Sequence, residues 1–212
     1  DVHASRAIVG ALNGFLANYR RQLAALGEQH PDSPQLPQWV DEIARIDHGA
    51  LLHPTVPILE DGRRRLAGRD LDIHLSTDAA TDGDVWVYDI ASRTLVAGDL
   101  VTLPAPFLDT ACPAAWRKVL EELDDENFTR LIPGHGAVMD RKDFHRYRQG
   151  FGRLVDCAAR GSRSAAQCGE GWVRDLGDLL SPADQVQARE LLDYYVAQRL
   201  RGAGATADCG TD

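Results

Sequence analysis

From Pro57 onward the hydrophobic pattern of this chain changes period, and that change limits the fold more than any other feature. Ile58 to Leu59, Arg64 to Ala67, Leu71 to Leu75, Val85 to Ile90 and Thr94 to Ala97 are short β-rich runs. Asp-Gly, Gly-Arg-Asp, Thr-Asp-Gly-Asp and Ala-Ser-Arg turn signals separate them, which predicts a mostly antiparallel meander. In Val85-Trp-Val-Tyr-Asp-Ile90 size and polarity alternate, as in a strand with one face in a core.

Helix, strand and helix then take turns. Pro113 suits the first position of a helix whose stripe is Trp116, Val119, Leu120 and Leu123, ending at Asp124. A strand is predicted over Phe128 to Ile132 and a helix over Phe144 to Cys157. Ser181-Pro182-Ala183-Asp184 reads as a capped helix start, and Leu191, Leu192, Tyr195 and Val196 are the packing residues of that last helix. The fold class that emerges is α/β, layered, with a meander and flanking helices.

Ahead of the meander, Ile8, Leu12, Phe15, Leu16, Tyr19, Leu23 and Leu26 recur at helical spacing and predict one long helix from Ala4 to Leu26, stopped near Gly27. Three prolines make residues 28 to 37 a loop. A short helix over Trp39 to Ile46 should turn Trp39, Val40, Ile43 and Ile46 inward. With 212 residues, 44% of them hydrophobic, the chain is expected to form a single domain over 1–201, followed by a flexible Gly- and Ala-rich tail over 202–212.

The formal charge of -9 argues against nucleic acid or an anionic membrane surface as a partner, because both need a basic face. No apolar run reaches the roughly 20 residues a membrane helix requires. The chain opens on Asp1 without an initiator Met, so it is read as a processed product or a segment, with any targeting signal upstream. Cys112, Cys157, Cys168 and Cys209 form no C-x-x-C pair and no zinc-finger spacing. Cys157 and Cys168 flank a small polar loop; they are either two unrelated thiols or a disulfide that closes it. A disulfide would imply export to a periplasmic or secreted location.

Metal-ligating side chains fall into two groups. His3 near the amino terminus, His48 and His53 in an apolar connector, and His74 inside a strand are read as solvated or packed rather than as ligands. Asp99, after Gly98 in Leu95-Val-Ala-Gly-Asp-Leu-Val101, and His135, between glycines in Leu131-Ile-Pro-Gly-His-Gly136, are different. Each is expected in the loop at the C-terminal end of an apolar strand, where flanking glycines let it project toward a shared cleft. A carboxylate and an imidazole suit zinc, manganese or iron. The alternative is that Asp99 caps a turn and His135 donates to a carbonyl.

The order Asp78-Ala-Ala-Thr-Asp-Gly-Asp-Val-Trp-Val-Tyr88, Gly98-Asp99, the Pro113 helix and Pro133-Gly-His-Gly136 resembles the second half of the metallo-β-lactamase superfamily fold, over about residues 58 to 155. The resemblance implies an αβ/βα sandwich present only in part, of a kind found in bacterial periplasmic hydrolases. It also implies a zinc-dependent hydrolase of a small-molecule substrate, with Asp99 as a bridging carboxylate and His135 as a ligand. Two departures stand against a complete site. Where the family carries a histidine ahead of Thr-x-Gly-Asp, this chain has Ala80, and the H-x-H-x-D-H signature is absent. An intact fold would need roughly 60 to 100 further residues ahead of Asp1. The metal site is therefore expected to be incomplete. The alternative is a catalytically inactive binding or assembly module, and an uncovered sheet would favour a homo-oligomer or exchange of elements.

Overall fold

A computed structural model describes residues 1–49, 54–201 and 209. His53 and most of the predicted tail lie outside the described residues. Packing divides the chain into two compact units, Asp1–Leu59 and Glu60–Asp212.

In the first unit, strand β1 (His3–Ser5) pairs in parallel with β2 (Val56–Ile58), so Ile58 belongs to this pair and not to the meander. The single long helix predicted from Ala4 is two, α1 (Ala7–Asn13) and α2 (Phe15–Gln29). Gly14 breaks it, at φ -100° and ψ -90°, a conformation a helix cannot pass through. Helix α2 runs on past Gly27 and stops at His30, because Pro31 disfavours helical geometry in the residue before it. Helix α3 (Leu36–Asp47) is fastened to α2 by a bidentate pair, with Arg20 donating to both oxygens of Asp47 at 2.5 and 2.9 Å. None of α3 is fully buried: Val40, expected inward, is exposed, and Trp39, Ile43 and Ile46 are half-buried.

The second unit has the predicted α/β architecture, a mostly antiparallel sheet flanked by helices. Strands β3 (Gly62–Leu66), β4 (Arg69–Ser76), β5 (Asp84–Asp89), β6 (Thr94–Thr102) and β7 (Arg130–His135) lie in the order β3-β4-β5-β6-β7. The first three pairings are antiparallel hairpins, and β6 with β7 is parallel. A parallel pair needs a long crossover. Helix α4 (Pro113–Asp125) supplies it, and Trp116 ties helix to strand by donating from its indole N–H to the Leu100 carbonyl at 3.0 Å.

One sheet face, with Trp86, Tyr88, Leu95 and Leu131, is buried in a core shared with Trp116, Leu120 and Leu123 of α4 and with Phe144, Tyr147 and Phe151 of α5 (Arg141–Arg160). Ile73, Val87, Val96 and Ile132 form a register row on the opposite face, where Val96 and Ile132 stay 40% and 37% exposed.

The stretch between Cys157 and Cys168, read as a loop, contains a helix start. Gly161 ends α5 in the left-handed region at φ 64°, and Ser164 caps α6 (Ala165–Leu176) through a reciprocal box with Gln167. Helix α7 (Pro182–Tyr195) begins at the predicted Ser181 cap and continues in π-type turns through Val196–Leu200. Cys157 and Cys168 form a disulfide, which resolves the two sequence alternatives, and Cys112 is bonded to Cys209.

Replacing Cys157 and Cys168 together with Ser should lower the unfolding free energy by about 3 kcal/mol, the chain-entropy value for a short loop. Urea denaturation of the oxidised protein and the double variant measures it, and a loss below about 1 kcal/mol would mean that the α5–α6 packing alone holds this corner.

Candidate metal-ligand site

The site grows from the β6–β7 pairing. Val96 and Ile132 are in register, as are Gly98 and Pro133, and then Thr102 and His135; of the two register irregularities, one precedes Gly98 and the other spans Asp99. Gly98 takes φ +54°, which only a residue without a Cβ adopts cheaply. Asp99 lies within β6 and not in a loop beyond it as the sequence suggested. His135 is likewise the last residue of β7, and its carbonyl accepts from Leu103 N at 2.9 Å. The strands run further than predicted because the glycines are absorbed as bulges instead of ending the ladder.

Asp99 and His135, distant in sequence, thus meet. Asp99 Oδ1 lies 3.6 Å from His135 Nε2, and both side chains are about half exposed. Gly134 permits the approach: a Cβ there would overlap Asp99 Oδ1 and sit 2.8 Å from the Gly98 carbonyl carbon. Phe107, which sequence reasoning missed, meets the His135 ring in a T-shaped arrangement with centroids 5.2 Å apart. An aromatic side chain in the Pro-rich loop Leu103-Pro-Ala-Pro-Phe107, just after a strand end, was the available signal.

Three of the other histidines singled out in the sequence, His74, His48 and His3, lie among the described residues. His74 stacks on Trp86 at 3.8 Å and pairs through Nδ1 with Asp61 at 3.0 Å. His48 contacts the Ala44 carbonyl through Nδ1 at the end of α3, and His3 lies in β1.

Ala80 is buried in the core, 4% exposed, and its carbonyl accepts from Thr110 Oγ1 at 3.1 Å. Cys112 N donates to the Ala79 carbonyl at 2.9 Å, so the loop before α4 is stitched to the Ala79–Ala80 backbone. The neighbouring carboxylate, Asp84, is used internally and accepts from Thr81 N and Thr81 Oγ1, both at 2.9 Å. Burial raises its pKa; the Thr81 hydrogen bonds oppose the shift, and the negative charge of Asp99 adds to it. Beneath the site Tyr147 is fully buried and its OH accepts from Thr102 N at 3.3 Å; burial pushes its pKa well up.

Among the described residues no three His, Cys, Asp or Glu side chains converge to hold a metal ion. A catalytic zinc takes three protein ligands and a water. Asp99 and His135 alone fall short of that number, so the described residues do not fit a complete catalytic metal centre.

No protein-family model and no curated protein matches this sequence. Solved structures do. A metallo-β-lactamase from Pontibacter korlensis is 21% identical over 43% of this chain, with a TM-score of 0.40. The likeness is to the metallo-β-lactamase fold. A stereoselective inverting sec-alkylsulfatase from Pseudomonas sp. is 17% identical over 76% of the chain, with a TM-score of 0.49. A metallo-β-lactamase family protein from Thermus thermophilus is 15% identical over 82%, with a TM-score of 0.45. The chain spans 46%, 29% and 62% of those proteins' own lengths.

Gly134→Ala should destabilise the protein by about 1–3 kcal/mol, the usual cost of overpacking, and push Asp99 away from His135. Denaturant titration reads the first effect, and the histidine side-chain NMR shifts of His135 read the second. An unchanged stability would mean that β6 and β7 part freely.

Asp84 makes stability depend on pH. Because its folded pKa is raised above 3.8, its stabilising contribution is fully present below that value and is lost as pH rises through the folded pKa. The wild-type protein should therefore lose stability relative to Asp84→Asn as pH climbs out of the acid range. Paired urea titrations across that window check the slope, and a difference that grows in favour of the wild type would overturn the burial argument.

Proposed function

We propose that this chain is a metallo-β-lactamase-like hydrolase, or the portion of one, that contributes Asp99 and His135 to a zinc site whose other ligands lie outside the described residues. The observation that carries this reading is the Gly134 cradle. It brings a carboxylate oxygen and an imidazole nitrogen to 3.6 Å, both on half-exposed side chains. Zinc in such sites lowers the pKa of bound water and polarises the bond to be cut. What this chain's own residues do is narrower: Gly98 and Gly134 set the two donors side by side, and Phe107 walls the imidazole. The substrate is a small molecule in this reading. The two disulfides support a periplasmic or secreted setting.

A second reading is favoured by Ala80. Its methyl is packed into the core where the family pattern calls for an imidazole, so an inactive member that keeps the scaffold as a binding or assembly module is consistent with it.

Zinc titration separates the two. The chain should bind zinc weakly, and Asp99→Ala or His135→Ala should each weaken that binding by about tenfold or more, with folding checked by circular dichroism. Zinc affinity indifferent to both substitutions would remove the first reading. Ala80→His should tighten zinc binding if the position faces the same ion. Zinc-dependent turnover of β-lactam, thioester, phosphodiester or lactone substrates by the unsubstituted chain would remove the second.

A further inference from the structure

A cavity of about 240 Å³ opens between α4 and α5, within the second unit and built from residues other than the Asp99–His135 pair. Three guanidinium groups line it: Arg117 from α4, and Arg148 and Arg153 from α5. Leu120 and Phe151, both fully buried, form an apolar floor. In a chain with a net charge of -9 this is a local reversal, three cations against the two carboxylates Glu121 and Asp156 in the same lining.

The arginines are held but not used up. Arg117 Nη1 donates to Asp156 at 2.6 Å, and Asp156 also faces Arg160 at 3.8 Å, so that carboxylate is shared between two cations. Arg153 donates from Nε to Asp175 at 2.6 Å, and Arg148 Nη2 pairs with Asp124 at 3.1 Å. A guanidinium carries five N–H donors, so each retains several for another acceptor. Arg148 Nε is buried with no hydrogen-bond partner among the described residues, an arrangement that ordinarily costs stability. Gly152 completes the geometry. The Arg117 guanidinium lies across it, and a Cβ on residue 152 would stand 3.4 Å from Arg117 Nη2.

We propose that this cavity binds a small oxyanion of the phosphate class, held by Arg117, Arg148 and Arg153. Size and charge select the ligand. Drug-sized ligands occupy roughly 300–1,000 Å³, so this space suits an ion or a terminal phosphate group better than an extended molecule. Arginine forks match tetrahedral oxyanions with paired, charge-assisted hydrogen bonds. The site needs no metal and stands independently of the zinc reading.

Calorimetric titration of the full chain with inorganic phosphate, at constant ionic strength and neutral pH, tests it. Saturable binding is expected, weakened about fivefold to tenfold in each of Arg117→Gln, Arg148→Gln and Arg153→Gln, and unchanged in Arg65→Gln, whose arginine sits on β3 paired with Asp70. If Arg148→Gln fails to fold on losing Asp124, Gly152→Val gives the same test with every charge kept, because the added side chain displaces Arg117. Glycerol phosphate run in parallel distinguishes a free ion from a phosphate ester. Absence of saturable phosphate heat, or equal weakening by Arg65→Gln, would overturn the proposal.

Discussion

The close parallel approach of β6 and β7 is the constraint on which the second unit depends. Two adjacent parallel strands cannot be joined by a turn, so the chain must leave the sheet, cross its face and return. Helix α4 makes that passage, and its stripe of Trp116, Val119, Leu120 and Leu123 is buried against the face it crosses. The Trp116 indole, donating to Leu100, fixes the helix to β6 one residue beyond Asp99. Packing of the core and placement of the carboxylate therefore come from the same crossover.

The loop from Leu103 to Cys112 joins this core to the site. Trp172 of α6 donates to the Pro104 carbonyl at 2.8 Å, Thr102 Oγ1 donates to the Ala105 carbonyl at 2.9 Å, and Tyr195 of α7 donates to Asp109 at 2.7 Å. Thr110 and Cys112 then tie the far end of the loop to Ala79 and Ala80, and the Cys112–Cys209 disulfide adds a covalent anchor. The loop is thereby fastened from α6, α7 and the β4–β5 connection. Phe107 is thus presented to His135 by a loop held at both ends.

Much of this was legible in the residues because it rests on local rules. Period-two runs with Gly and Asp turns marked the hairpins, and the Pro113 and Ser181 signals marked helix starts. The parts that were not legible depend on what a glycine does in three dimensions. Gly98 and Gly134 looked like strand ends and are bulged or closely apposed positions inside a ladder, so Asp99 and His135 were assigned to loops. Gly14, inside a continuous apolar stripe, carries no sequence mark that separates a tolerated helix glycine from a break. The Ser164–Gln167 box was present in the sequence but lay between two cysteines that suggested a loop. The arginine cavity was invisible, since Arg117 and Arg148 are brought together only by the packing of α4 against α5.

Stability alone does not account for the Asp99–His135 arrangement. A half-exposed contact between a carboxylate and an imidazole is worth at most about 1 kcal/mol, and glycine loses more conformational freedom on folding than any other residue, a cost met twice here, at Gly98 and Gly134. A bulged register also gives up ladder hydrogen bonds that a regular pairing of the same strands would make. Those terms weigh against the bulged approach, and the contact between the two side chains offsets them only in part. Two donors held side by side and open to solvent are what an ion or a substrate atom needs. The core position at Ala80 obeys the opposite logic, where a buried methyl serves packing and offers nothing to a ligand. The β6–β7 end is thus built around exposed polar groups at some cost in ladder hydrogen bonds, and the Ala79–Ala80 turn around buried apolar ones.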